Sequence, residues 1–114
     1  MVGGPYRHGA KTAAERRSNL KLMNRAAHAL FRMGHVPVIG VNMALPVIAA
    51  AGARHYDDIM LPLSLALTER CDAFLRVGGP SNGADAEMQR FRARGLPVFA
   101  RLEDVPAADI SPGG

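Results

Sequence analysis

A single carboxylate, Glu87, stands one turn inside the helix that the segment GGPSNGADAE, residues 78–87, leads into. Three glycines, a proline, a serine and an asparagine crowd the approach to it. Residues this small let a ligand come close to the backbone, and a starting helix offers unpaired amides at the positive end of its dipole. The amides of Gly83, Ala84 and Asp85, with the hydroxyl of Ser81, are expected to hold a phosphate or sugar oxygen. Glu87 would face the bound group, and a carboxylate so placed can attack or stabilise an anomeric carbon of oxocarbenium character. An acid in a first turn can also do no more than complement the helix dipole, as Asp85 does in the same stretch. The loop carries neither Gly-Lys-Ser/Thr nor G-x-G-x-x-G, so neither triphosphate nor dinucleotide chemistry is signalled.

A second loop of the same character, GGPYR, residues 3–7, follows the first strand-like residues. Gly4 and Pro5 shape it, Tyr6 supplies an aromatic face, and Arg7 carries a planar fork suited to phosphate or carboxylate. Gly79 plays the corresponding backbone role in the other loop. Asp57 and Asp58, in HYDD, can bind a base or sugar hydroxyl, or cap the helix that follows. The four histidines, His8, His28, His35 and His55, show no metal-ligand spacing, and neither a metal nor a cofactor is expected. Cys71, the single cysteine, precedes an apolar strand and reads as core packing, so no disulfide framework exists and a reducing, cytoplasmic setting fits.

These loops need elements to hold them. Thr12-Ala-Ala-Glu15 matches a capping box, Leu20, Met23, Ala27, Leu30 and Phe31 follow at helical spacing, and Gly34 ends that helix. VPVIGV, residues 36–41, reads as a buried parallel strand. MALPVIAAAGA suggests a short helix broken near Pro46, and residues 59–70 a helix with Pro62 in its first turn or at a kink. DAFLRV, residues 72–77, reads as a strand, residues 83–94 as a helix closed by Gly95, and LPVFARL as the last strand. Such β-α alternation predicts a mostly parallel sheet with helices on both faces, and ligands in such sheets bind beyond the carboxyl ends of the strands. Residues 1–102 form the expected domain and residues 103–114 a loosely held tail.

The chain has 114 residues, a formal charge of +4 and no tryptophan. That length allows one domain and one site. The longest apolar run, residues 36–53, is interrupted by prolines and glycines, so no membrane span or secretory leader is expected. Arg17, Lys21 and Arg25 share one helix face, but almost no aromatic residue interleaves with them, and nucleic acid is not expected as a partner. The uncharged stretch from Met43 to Ala51 predicts a homodimer or higher homo-oligomer.

GGPYR after the first strand, CDAFLRV leading into a glycine-rich loop, and SNGADAE before a helix that runs to RGLPVF together resemble the nucleoside 2-deoxyribosyltransferase-like proteins. The phrases GHVPVIGVNMALP and YDDIMLPLSLALTERCDA resemble a small bacterial branch of that family, and the similarity covers about residues 2–101. The resemblance implies a Rossmann-like or flavodoxin-like, mostly parallel sheet of four to five strands. It also implies cleavage of the N-glycosidic bond of a nucleoside or its 5′-monophosphate, by transfer or hydrolysis. Glu87 matches the family's nucleophile and Ser81 the serine that binds a 5′-phosphate, while Tyr6 corresponds to an aromatic near base and sugar. Where the family's transferases carry an aspartate that assists the leaving base, this chain has Ser64, so Asp58 or Asp57 would have to take that part. Two further readings stand beside this one. One is a non-catalytic nucleotide-binding module, and the other a phosphoribohydrolase of the cytokinin-activating type, whose PGGxGTxxE loop is similar in outline.

Overall fold

The computed structural model describes residues 1–108. At its centre three short parallel strands lie in the order β1 (Val2–Gly3), β2 (Phe74–Arg76) and β3 (Val98–Phe99). Val2 stands opposite Leu75, and Phe74 opposite Val98. Among the described residues four α-helices surround this sheet: α1 (Ala13–Arg32), α2 (Gly40–Ala51), α3 (Tyr56–Thr68) and α4 (Asn82–Ala93).

Successive side chains of a strand point to opposite faces, and the core divides accordingly. Val2 and Leu75 pack against Met23 and Leu30 of α1 on one face. Phe74 meets Phe91 of α4 on the other, with ring centroids 5.2 Å apart. The architecture is therefore mixed α/β, with a helix over each face.

The expected strand at residues 36–41 does not form. Ile39 touches the sheet through one bridge to Val2, and the Val2 N–H donates to the Val38 carbonyl at 2.8 Å. Pro37 has no N–H to extend a ladder, and Gly40 already opens α2. The sheet thus has three strands and not four to five.

The helix signals hold at the ends of α1. The Glu15 N–H donates to the Thr12 hydroxyl at 3.1 Å, and the Thr12 N–H donates to the Glu15 carboxylate at 3.2 Å. Gly34, at φ 92°, takes the left-handed turn that stops the helix. The prolines behave otherwise than expected: α2 runs through Pro46 and α3 through Pro62 without ending. Each ring lies on an exposed face, as do Asn42 and Asp58, whose carbonyls lose a helical partner and can accept from water instead.

Of residues 103–114, those from 109 onward lie outside the described residues. Before them a 3-10 turn spans Leu102–Asp104, Val105 packs against the α1 face of the core, and the Ala108 N–H donates to the Met33 carbonyl at 2.9 Å. No helix among the described residues is long and apolar enough to cross a membrane.

Candidate functional site

A cleft of about 190 Å³ opens beyond the carboxyl ends of β1 and β2. The loop after β1 contributes Gly4, Tyr6, Arg7 and His8, and α2 contributes Val41. Tyr56, Met60 and Ser64 line it from α3 at i, i+4 and i+8, so one helix face forms a wall. Ser81, Asn82, Gly83, Ala84 and Glu87 close it from the start of α4. A larger cavity of about 590 Å³ lies at the amino ends of the strands, lined mainly by apolar residues with Arg70, Cys71 and Asp72. It contains none of the residues read as chemical from the sequence, and burial pushes its Cys71 thiol pKa up, away from a reactive thiolate.

Glu87 sits at the floor of the smaller cleft, only 7 % exposed. Two glycines make room for it. A Cβ on Gly3 would stand 3.1 Å from Oε1, and one on Gly40 would stand 3.3 Å from Oε2. The Gly40 Cβ would also overlap the Ser64 hydroxyl, and the Gly3 Cβ the ring of Phe74. The carboxylate therefore lies between the end of β1 and the start of α2, beside Ser64. Burial pushes its pKa up to about 7, while the nearby Arg76 guanidinium and the Met1 amino group pull the other way. No protein hydrogen bond reaches the carboxylate among the described residues, which leaves its oxygens for whatever enters the cleft.

The anion cradle is smaller than its sequence suggests. The Ser81 hydroxyl is the N-cap of α4 and accepts from the Ala84 N–H at 3.1 Å, while the Asp85 N–H donates to the Ser81 carbonyl at 3.0 Å. Two of the three amides expected to be open are thus committed to the helix itself. Gly83 keeps its amide available, and Asn82, not singled out from the sequence, adds another.

Arg76, at the end of β2, ties this region together. Its Nη1 donates to the Val77 carbonyl at 2.6 Å and its Nη2 to the Gly79 carbonyl at 2.8 Å, while Nε lies 3.6 Å from the Asp85 carboxylate. Across the cleft the Arg7 guanidinium lies over the Tyr56 ring, 3.4 Å from its centroid. Burial pushes the Tyr56 hydroxyl pKa above its ordinary value against the opposing effect of Arg7, so it stays protonated at neutral pH. The Asn19 side chain donates to the Tyr6 carbonyl at 2.9 Å and anchors that loop to α1.

The fold thus gathers Gly4, Tyr6, Arg7, Ser81, Gly83, Ala84 and Glu87 around one space. Pro5 is buried behind it against Gly78, and Gly79 sits outside on the exposed bend. Asp57 and Asp58 are not brought in. Because α3 starts at Tyr56 and not near Ile59, both fall on its exposed first turn, where Asp58 pairs with His55 Nδ1 at 3.1 Å. Among the described residues Glu87 is the one carboxylate lining the cleft. Sequence reasoning missed Tyr56, Met60 and Arg76. The 56, 60, 64 spacing carried a usable signal once the helix start is known, whereas a lone arginine ending a strand carried none. No group of His, Cys, Asp and Glu among the described residues could hold a metal ion. Comparison with family models, with curated proteins and with solved structures finds no match to the chain.

Proposed function

We propose that the chain is an N-glycosidic bond enzyme of the nucleoside 2-deoxyribosyltransferase kind, acting on a nucleoside or its 5′-monophosphate with Glu87 as nucleophile. One observation carries the reading: a buried carboxylate with a pKa of about 7 and no protein hydrogen bond, at the floor of a cleft beyond the carboxyl ends of parallel strands. In this reaction an Oε of ionised Glu87 bonds to the anomeric carbon as the C–N bond breaks, and that electron pair leaves with the base. Water or a second base then attacks the glycosyl ester and frees Glu87, and the attacking group's proton goes to the departed base anion. Asn82 and Gly83 amides with Ser81 face a phosphate or a sugar hydroxyl, and the Arg7–Tyr56 stack gives the base a flat surface.

A second reading, a nucleotide-binding module without catalysis, is favoured by a separate observation. Ser64 occupies the floor beside Glu87, and Asp58 lies outside the cleft, so among the described residues no second carboxylate stands where it could assist the leaving base. A cytoplasmic setting and self-association through the exposed Met43 and Val47 of α2 belong to the leading reading.

The test is hydrolysis and base exchange over a panel of nucleosides and 5′-monophosphates, wild type against Glu87→Ala. Turnover that falls at least a hundredfold in the variant supports the nucleophile. Turnover that survives the change removes it. Absence of turnover together with a melting temperature raised by monophosphates favours the binding module.

A further inference from the structure

Among the described residues Arg76 is the one cation that touches both the loop and the helix start of the site. It is the residue of β2 opposite Gly3, against which Glu87 Oε1 lies. Its side chain is 16 % exposed, and each nitrogen of its fork faces a partner, the Val77 and Gly79 carbonyls and, at 3.6 Å, the Asp85 carboxylate. It is therefore held in place and cannot swing out to follow a ligand. We propose that Arg76 is the positioning residue of the cleft, locking the 77–79 bend and the first turn of α4 against the sheet while its fixed charge draws the buried Glu87 towards its ionised form.

The surroundings of Glu87 leave Arg76 this role. The Met1 amino group, just before β1, also draws on Glu87, while Arg7 and His8 from the loop after β1 and Tyr56 from α3 line the same cleft. Gly40 of α2 has no side chain, and α3 presents the uncharged Ser64. On α4 itself Asp85 lies on the exposed side of Arg76, where it offsets part of the guanidinium charge. Arg76 thus stands between two carboxylates, an outer one exposed to water and an inner one buried. The outer carboxylate, 3.6 Å from Nε, offsets part of the positive charge that reaches the inner one.

The inference takes Glu87 as the working carboxylate, but its test does not require turnover. Titrating side-chain-carboxyl-labelled glutamate by ¹³C NMR, with the Glu87 signal assigned by its loss in Glu87→Gln, reads the ionisation directly. Amide exchange over residues 78–84 reads the loop. Arg76→Met should move the Glu87 midpoint up by about one pH unit and speed loop exchange by about tenfold or more. Arg76→Lys should restore the midpoint but not the protection, because an ammonium cannot make the forked bonds. Asp85→Asn, an exposed change that spares the fold, should move the midpoint down. A midpoint unmoved by Asp85→Asn, or an Arg76→Met protein that titrates and exchanges like wild type, overturns the proposal. Should these shifts occur while no variant or wild type turns over any nucleoside, the functional reading fails and the role of Arg76 stands.

Discussion

Glu87 is a carboxylate that folding prefers to keep protonated. Its pKa in the fold, about 7, lies above the 4.5 of a free glutamate, so between these values the folded chain binds more protons than the unfolded one. Stability from the neutral form is complete below pH 4.5 and is lost as pH rises through 7. Replacing Glu87 with Gln removes that loss, and urea unfolding should show the variant more stable than wild type at pH 8, by up to about 3 kcal/mol. At pH 4.5 the two should nearly coincide. A difference of the same size at both pH values would show that packing, not ionisation, separates them. The sequence made Glu87 legible because it stands one turn into the helix that follows a run of small residues, in a stretch that resembles a family's catalytic loop. Its environment was not legible, since the crowding by Gly3, Gly40 and Ser64 joins residues far apart in the chain. Asp58 was misplaced for the complementary reason: a shift of the helix start by three residues turns a side chain from cleft to solvent.

The two capped helices differ in what their caps hold. Thr12 caps α1 at an exposed end, away from the cleft, while Ser81 caps α4 inside it. Either change to Ala should cost about 1 kcal/mol in thermal or urea unfolding. Only Ser81→Ala should also weaken binding of a nucleoside monophosphate, measured by calorimetry, because it strips a hydroxyl from the cleft wall and frees the Ala84 amide. Equal affinity in both variants would exclude the Ser81 hydroxyl from ligand contact. Caps and stops were plain in the sequence, as the chemistry of Thr12, Glu15, Gly34 and Gly95 is local. The strand expected at residues 36–41 was not, because β-rich composition there competes with a helix whose start is fixed by the space Gly40 leaves for Ser64 and Glu87. Pro46 and Pro62 misled because each ring falls on the exposed face of its helix, where a lost hydrogen bond is tolerated.

At the scale of the molecule, the two faces of a very small sheet share β2. Phe74 faces α4 and Leu75 faces α1, so the two cores are one residue apart. Loss of either should unfold both. Phe91→Ala, which empties a fully buried site against Phe74, should cost about 3–5 kcal/mol, a large fraction of what a domain of this size commands. Urea unfolding followed by fluorescence of an added probe on α1 and by circular dichroism should give coincident transitions. Separate midpoints would show that the faces melt independently. The α/β class was legible from the alternation of apolar runs, but the strand count was not, because each strand is only two or three residues long.

The pairing of Val2 with Leu75 has a consequence for how the chain is made. The first strand acquires its neighbour only after some seventy further residues have been synthesised, about 4–15 s at ordinary rates of translation. Until then α1 has an apolar stripe and no sheet to cover it. Closing so long a loop is entropically slow, and the cleft, which needs both strand ends and the start of α4, is completed only after that closure. A nascent chain stalled before residue 74 would hold its first helices without the strand that covers their apolar stripe.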